Sequence, residues 1–427
     1  MAIDDALAVI LAGGQGSRLY PLTWKRAKPS VPLAANYRLI DIPVSNAYNS
    51  GTIRSTRVIT QFEPHSLTAH LTQNWTTKWG TGWRSNLMVL SAFQGLDSSW
   101  YSGTSNAVDQ NLAHILNQGA KLINILAGDH VVMQNYDHMN AFHLKHGADM
   151  TIAYKPVPVE QARGTLGTLV SREQVKRAQK QVTDESDGIW CVNFMEKPLD
   201  PPETDGKAFG SMGIYTFNDD VLEFALEIDR KKTFGKKEDV QRDPRKYTTH
   251  DFGYDIIPEL LYRGLKIAMY PFESERVAPD VTPGFWADLG KIKDYYEINL
   301  ALTDIVPALN MRSEHWPIGS AYGLPVKSNM PKLSGLFGAG VVWDECEIIN
   351  SVIGPGTTIG RGAHIENSIL LGETYVAPGT TILNAIVDHK NKVTEDIGID
   401  RAYDIERKFF VPEDFDKIVV VKKEYLS

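Results

Sequence analysis

The stretch Leu7-Ala-Val-Ile-Leu-Ala-Gly-Gly-Gln-Gly-Ser-Arg-Leu19, followed by Arg26-Ala-Lys-Pro29, decides how the rest of the chain is read. Its apolar first half, Leu7 to Ala12, predicts a buried strand. The strand stops at Gly13, Gly14 and Gly16, where the backbone can turn tightly and bring its N–H groups up to a ligand. Arg18 and Lys28 add two cations beside that loop. A glycine cradle flanked by cations suits a triphosphate. It is neither of the commonest phosphate loops. Leu19 stands where a dinucleotide fingerprint wants its third glycine, and no Gly-Lys-Ser/Thr follows.

Outward from this loop, short apolar runs alternate with helical patterns. Strands are predicted at Thr56–Gln61, Lys121–Ala127 and Met150–Tyr154, and helices at Asp41–Ser50, Ser105–Gln118, Met139–His146 and Lys291–Asp304. This rhythm predicts an α/β domain over residues 1–304, with a mixed, mostly parallel sheet covered by helices on both faces. Ligands in such sheets bind beyond the carboxyl ends of strands, which places Gly13–Arg18 and Gly128-Asp129-His130 on one edge. The charge-dense stretch 229–251 reads as an exposed loop, and the Pro- and Gly-rich stretch 305–335 as a linker. Within 336–427, Ile353, Ile359, Ile365 and Leu371 recur every six residues, and Val376 and Ile382 continue after a one-residue slip. That is the hexapeptide period of a parallel β-helix.

At 427 residues two or three domains are expected. A net charge of −8 argues against a nucleic-acid partner. The two cysteines, Cys191 and Cys346, have no metal or redox spacing and read as thiols of a reducing compartment. The N-terminal apolar run is too short for a signal or membrane segment, so a cytoplasmic protein without a membrane partner is expected.

Asp129 and Asp288 follow strand-like runs. Two carboxylates at strand ends suit one Mg²⁺, although each aspartate alone reads equally as a turn or cap residue. Lys197 could bind a sugar phosphate and Glu196 sugar hydroxyls, or Glu196-Lys197-Pro198 is an exposed turn. Trp75, Trp79, Trp83 and Trp100 read as core or interface residues. No Gly-x-Ser-x-Gly, His-Glu-x-x-His or Cys-x-x-Cys is present.

Together these motifs resemble the sugar-nucleotide pyrophosphorylases over nearly the whole chain. The glycine loop is joined, in the family's order, by Tyr37-Arg-Leu-Ile-Asp41, Trp100-Tyr101, Leu126-Ala-Gly-Asp-His130, Glu196-Lys-Pro198, Ser211-Met-Gly-Ile-Tyr215, His250-Asp-Phe-Gly253 and Trp286-Ala-Asp-Leu-Gly290. The resemblance implies a Rossmann-like, GT-A-like nucleotidyltransferase domain and a left-handed β-helix. It implies transfer of AMP from ATP to glucose 1-phosphate, giving ADP-glucose and pyrophosphate for glycogen or α-glucan synthesis. Arg18, Lys28, Asp129 and Lys197 would be catalytic. Leu11, Gly13, Gly14, Gly16, Gln61, Gln94, Gly103 and Thr104 would join Arg18, Lys28 and Asp129 around the nucleotide. Tyr101, Gly167, Glu196, Lys197 and Ser211 would hold glucose 1-phosphate, and Asp129 and Asp288 would bind Mg²⁺. Lys25 and Arg38 match residues that bind sugar-phosphate effectors, and a homotetramer is implied.

Departures cluster near the nucleotide. The family pattern Trp-Tyr-Arg-Gly-Thr-Ala-Asp-Ala is Trp100-Tyr-Ser102-Gly-Thr-Ser105-Asn106-Ala107 here, and a Gln-Gln pair is Phe93-Gln94. A non-catalytic regulatory subunit and a different nucleotide preference are the alternatives. An acyltransferase reading finds only His364 within the hexads.

Overall fold

The computed structural model describes residues 5–82, 85–92 and 100–426. Strand β1 (Ala6–Leu11) pairs in parallel with β2 (Ile53–Thr60), which pairs in parallel with β3 (Ser85–Ser91). On the other side β1 pairs in parallel with β4 (Leu122–Ala127). Farther out, β5 (Met150–Pro158) and β4 both pair antiparallel with β6 (Lys207–Asn218). The sheet is therefore mixed and mostly parallel at its centre, as the alternating pattern implies. Ala6 to Ile10 are all buried, because helices cover both faces of the central strands. This is why β1 reads as an unbroken apolar run.

Two sequence expectations in this domain are corrected. The helix expected over Ser105–Gln118 is two helices, Thr104–Gln110 and Leu112–Leu116. Asn111 separates them: its Nδ2 donates to the Ala107 carbonyl (2.8 Å) and to Tyr101 Oη (2.9 Å), competing with the helical backbone pattern. The stretch 229–251 is not an exposed loop throughout. It contains a helix, Lys237–Arg242, and the paired strands Thr233–Phe234 and Tyr247–Thr248. It also buries Asp229, Val240 and Thr248. Its surface charges mask those inward positions.

Residues 305–335 run between the domains and are packed. Leu309, Met311, Trp316 and Ile318 are buried, and Trp316 Nε1 donates to Asn46 Oδ1 at 2.9 Å. Val326–Met330 forms a hairpin with Leu333–Phe337 at the first coil of the C-terminal domain.

That domain is a parallel β-helix, consistent with the left-handed type. Ile348 pairs with Ile365 and Ile365 with Ile382, so one coil takes 17 residues. Two further columns, Ile353–Leu370–Val387 and Ile359–Val376–Val393, complete the interior. The slip in the hexads therefore falls between Ile365 and Leu370. Leu371, expected inside, instead faces the core shared with the first domain, where it joins Leu33, Tyr295 and Trp316.

Trp75 and Trp79 are buried and Trp100 is exposed, whereas Trp83 lies outside the described residues. Cys191 and Cys346 are both free. Among the described residues no helix is long and apolar enough to cross a membrane.

Candidate active site

The carboxyl ends of β1, β2 and β4 open onto one cavity of about 520 Å³. Leu11, Gly13 and Gly14 follow from β1, Gln61 from β2, and Ala127 and Asp129 from β4. The glycine loop closes around Lys28. Gly16 has φ +65°, and a Cβ on it would fall 2.7 Å from Lys28 Cβ. An alanine there would be strained and also collide.

Asp129 and Asp288 meet through a short antiparallel ribbon, His130–Val132 with Trp286–Asp288, in which Asp288 pairs with His130. Lys28 Nζ lies 2.8 Å from Asp129 Oδ2 and 3.2 Å from Asp288 Oδ1. Burial pushes the Asp129 carboxyl up, but Lys28 and His130 outweigh it and hold it below the usual carboxylate range. Burial lowers the Lys28 ammonium, and the two carboxylates more than restore it. Among the described residues no group of three or more His, Cys, Asp or Glu could hold a metal. The Asp129–Asp288 pair nonetheless fits Mg²⁺, an ion commonly held by one or two carboxylates plus substrate phosphates, since its oxygens already grip a cation.

Across the cavity stand Tyr101, Gly103, Thr104, Glu196, Lys197 and Gly253. Lys197 Nζ lies 2.8 Å from Glu196 Oε1. The main-chain N–H of Tyr101 donates to Gln61 Oε1 at 2.6 Å, so the Gln61 amide also fixes a cavity wall.

The chain is similar to known proteins over nearly its whole length. Residues 7–305 match the family model described as nucleotidyl transferase, and residues 327–421 match one described as GlmU-like, C-terminal hexapeptide. The glucose-1-phosphate adenylyltransferase of Enterobacter sp. (strain 638) is 34% identical over 98% of this chain and 93% of its own length. The chain belongs to the nucleotidyl transferase family.

In this nucleotidyl transferase, eleven of the expected site residues line the shared cavity: Leu11, Gly13, Gly14, Lys28, Gln61, Tyr101, Gly103, Thr104, Asp129, Glu196 and Lys197. Gly16 and Asp288 sit one layer back, against Lys28. Arg18 is exposed and does not line the cavity; its guanidinium lies against Gly290, two residues after Asp288. Gly167 lies against Glu196, and its carbonyl accepts from the Ser211 N–H at 2.7 Å. Gln94 lies outside the described residues, as does Phe93. Lys25 and Arg38 line a second cavity of about 660 Å³ between the nucleotidyl transferase domain and the β-helix, with Arg26, His389, Lys390 and Lys423.

Sequence reasoning gave no role to Asp251, Phe252 and Gly253, although all three line the active-site cavity. Their signal was the quoted His250-Asp-Phe-Gly253 motif, whose glycine permits close approach. A Cβ on Gly253 would fall 2.2 Å from Glu196 Oε2.

Proposed function

We propose that the chain transfers AMP from ATP to glucose 1-phosphate, forming ADP-glucose and releasing pyrophosphate. The observation that carries this reading is the single cavity shared by Lys28, Asp129, Glu196 and Lys197 at the carboxyl edge of the sheet. The name of the Enterobacter relative supports the choice of substrates.

A phosphate oxygen of glucose 1-phosphate attacks the α-phosphorus of ATP, and the bond to the departing pyrophosphate breaks. The second pKa of such a phosphate is about 6, so the attacking group is already ionised at neutral pH. No side chain has to remove a proton. The obstacle is repulsion between polyanions: one pair of like charges about 5 Å apart costs roughly 3 kcal/mol at an effective dielectric near 20. Lys28 and Arg18 supply positive charge to the triphosphate, and Lys197 supplies it to the sugar phosphate. Glu196 accepts hydroxyl groups of the sugar. Asp129 and Asp288 would hold Mg²⁺, which when bound neutralises phosphate charge and stabilises the leaving group. Catalysis is then positioning and charge neutralisation.

The second cavity is assigned to a sugar-phosphate or nucleotide effector. Lys25, Arg38, Lys390 and Lys423, with the buried and Asp388-paired Arg26, give the cavity a cationic lining suited to a polyanion. Lys25, Arg26 and Ser30 line this cavity while Lys28 and Pro29 line the active site, which supports allosteric control through one short segment. Val342 and Tyr375 are exposed in one outward column of the β-helix, through Thr358, and support a homotetramer. Two free cysteines support a cytoplasmic location.

The purified chain is to be assayed for pyrophosphate release with ATP, UTP, GTP and dTTP, each with glucose 1-phosphate. ATP is expected to react fastest. Absence of pyrophosphate with all four refutes the reading.

A further inference from the structure

Asp229 is buried at the C-terminal end of the helix Asp219–Arg230. A carboxylate there meets the negative end of the helix dipole, so the helix gains nothing from it. Three donors from elsewhere fill its oxygens. Ser105 Oγ and His250 Nδ1 each reach Oδ2 at 2.8 Å, and Thr248 Oγ1 reaches Oδ1 at 2.5 Å. Burial pushes the Asp229 carboxyl up, but these bonds outweigh it and hold it below the usual carboxylate range. An ionised carboxylate only accepts, so His250 Nδ1 carries the proton.

The donors come from two walls of the active-site cavity. Ser105 directly follows Gly103 and Thr104, and His250 directly precedes Asp251, Phe252 and Gly253. The walls are also joined to each other. Ser105 N–H donates to the His250 carbonyl at 2.9 Å, and Thr104 Oγ1 donates to Asp251 Oδ2 at 2.9 Å. A Cβ on Gly103 would fall 2.0 Å from the His250 carbonyl oxygen. His250 has φ +57°, a left-handed conformation disfavoured for a non-glycine residue. Its ring bond to Asp229 and its N–H bond to Thr248 Oγ1 (2.9 Å) hold it there.

We propose that Asp229 is a positioning residue that sets both substrate walls at once, Gly103–Ser105 for the nucleotide and Asp251–Gly253 with Glu196 for the sugar phosphate. This rests on the two-substrate reading of the cavity given above. It also gives Ser105 a use: alanine, which the family pattern carries at that position, cannot donate to Asp229.

The test uses full-length Asp229→Asn, Ser105→Ala and His250→Ala, with kcat and both KM values measured beside the wild type. Losing one hydrogen bond to a charged group corresponds to about tenfold or more. Ser105→Ala is expected to raise the KM for ATP about tenfold and leave that for glucose 1-phosphate within twofold. His250→Ala is expected to do the reverse, and Asp229→Asn to raise both. If Asp229→Asn does not fold, the opposite splits of the other two variants carry the test. Equal effects of Ser105→Ala and His250→Ala on both KM values, or no effect of Asp229→Asn, overturn the proposal. Amide hydrogen exchange without substrate separates this proposal from the assigned reaction. Exchange in 101–107 and 249–255 should both quicken in Asp229→Asn even if the wild type makes no ADP-glucose. Unchanged exchange in either segment overturns the proposal.

Discussion

The Lys28 ammonium lies 2.8 Å from the Asp129 carboxylate and is nearly buried, so a cation already sits where the phosphate-binding edge of the sheet gathers its negative charge. Asp288 shares the same ammonium at 3.2 Å. A divalent ion that takes both carboxylates has to displace Lys28. Lys28→Met should therefore tighten Mn²⁺ binding to the substrate-free protein about tenfold, because a competing charge is gone. Turnover should fall by about 100-fold or more as the triphosphate loses that cation. Calorimetric titration checks the first effect, with Asp288→Asn as the control that weakens binding. Weaker Mn²⁺ binding in Lys28→Met contradicts the competition.

Arg18 lies exposed against Gly290, in no ion pair among the described residues. A free guanidinium there is available to phosphate oxygens. Arg18→Ala should lower kcat by about 10³-fold, by analogy with phosphoryl-transfer arginines. A loss under about tenfold in steady-state assays removes Arg18 from the catalytic set.

Burial lifts the Glu196 carboxyl above the usual carboxylate range, and the Lys197 ammonium offsets this only in part. A raised folded-state pKa means that the charged form is the costly one. Below the ordinary carboxylate range Glu196 is protonated in both folded and unfolded chains, so Glu196→Gln changes little there. Above the raised value only the wild type buries a charge. Calorimetry should give Glu196→Gln a higher Tm than wild type at about pH 8 and an equal one at about pH 3. The KM for glucose 1-phosphate should rise about tenfold. A lower Tm at about pH 8 contradicts the assignment.

Arg26 and Asp388 form a buried pair across the two domains, at 2.9 Å. Arg26→Ala strands the Asp388 charge and should destabilise the fold by about 3–5 kcal/mol. Burial raises the Asp388 carboxyl, but Arg26 and His389 outweigh it and hold it low. Its stabilising contribution is thus present above the ordinary aspartate range and is lost as pH falls through the depressed folded-state value. Acid unfolding should begin at higher pH in Arg26→Ala than in wild type. Superimposable acid transitions contradict this role for the pair.

The glycine loop, Asp129, Glu196, Lys197 and Asp288 were legible because each sits in a short motif at the end of an apolar run. The β-helix was legible from its period, but the inward residue of one coil was not. Leu370 and Leu371 are both leucines, and only the second domain face decides which one points inside. The break at Asn111 was hidden because it depends on Tyr101 Oη, a tertiary partner. Asp229 was hidden among surface charges. Its three donors, Ser105, Thr248 and His250, converge only in the folded chain.

Whether one cleft joins two phosphorylated substrates directly is tested by exchange of labelled pyrophosphate into ATP, with and without glucose 1-phosphate. Direct attack predicts exchange only when the sugar phosphate is present. Exchange with ATP and pyrophosphate alone would reveal an adenylylated side chain and contradict the account.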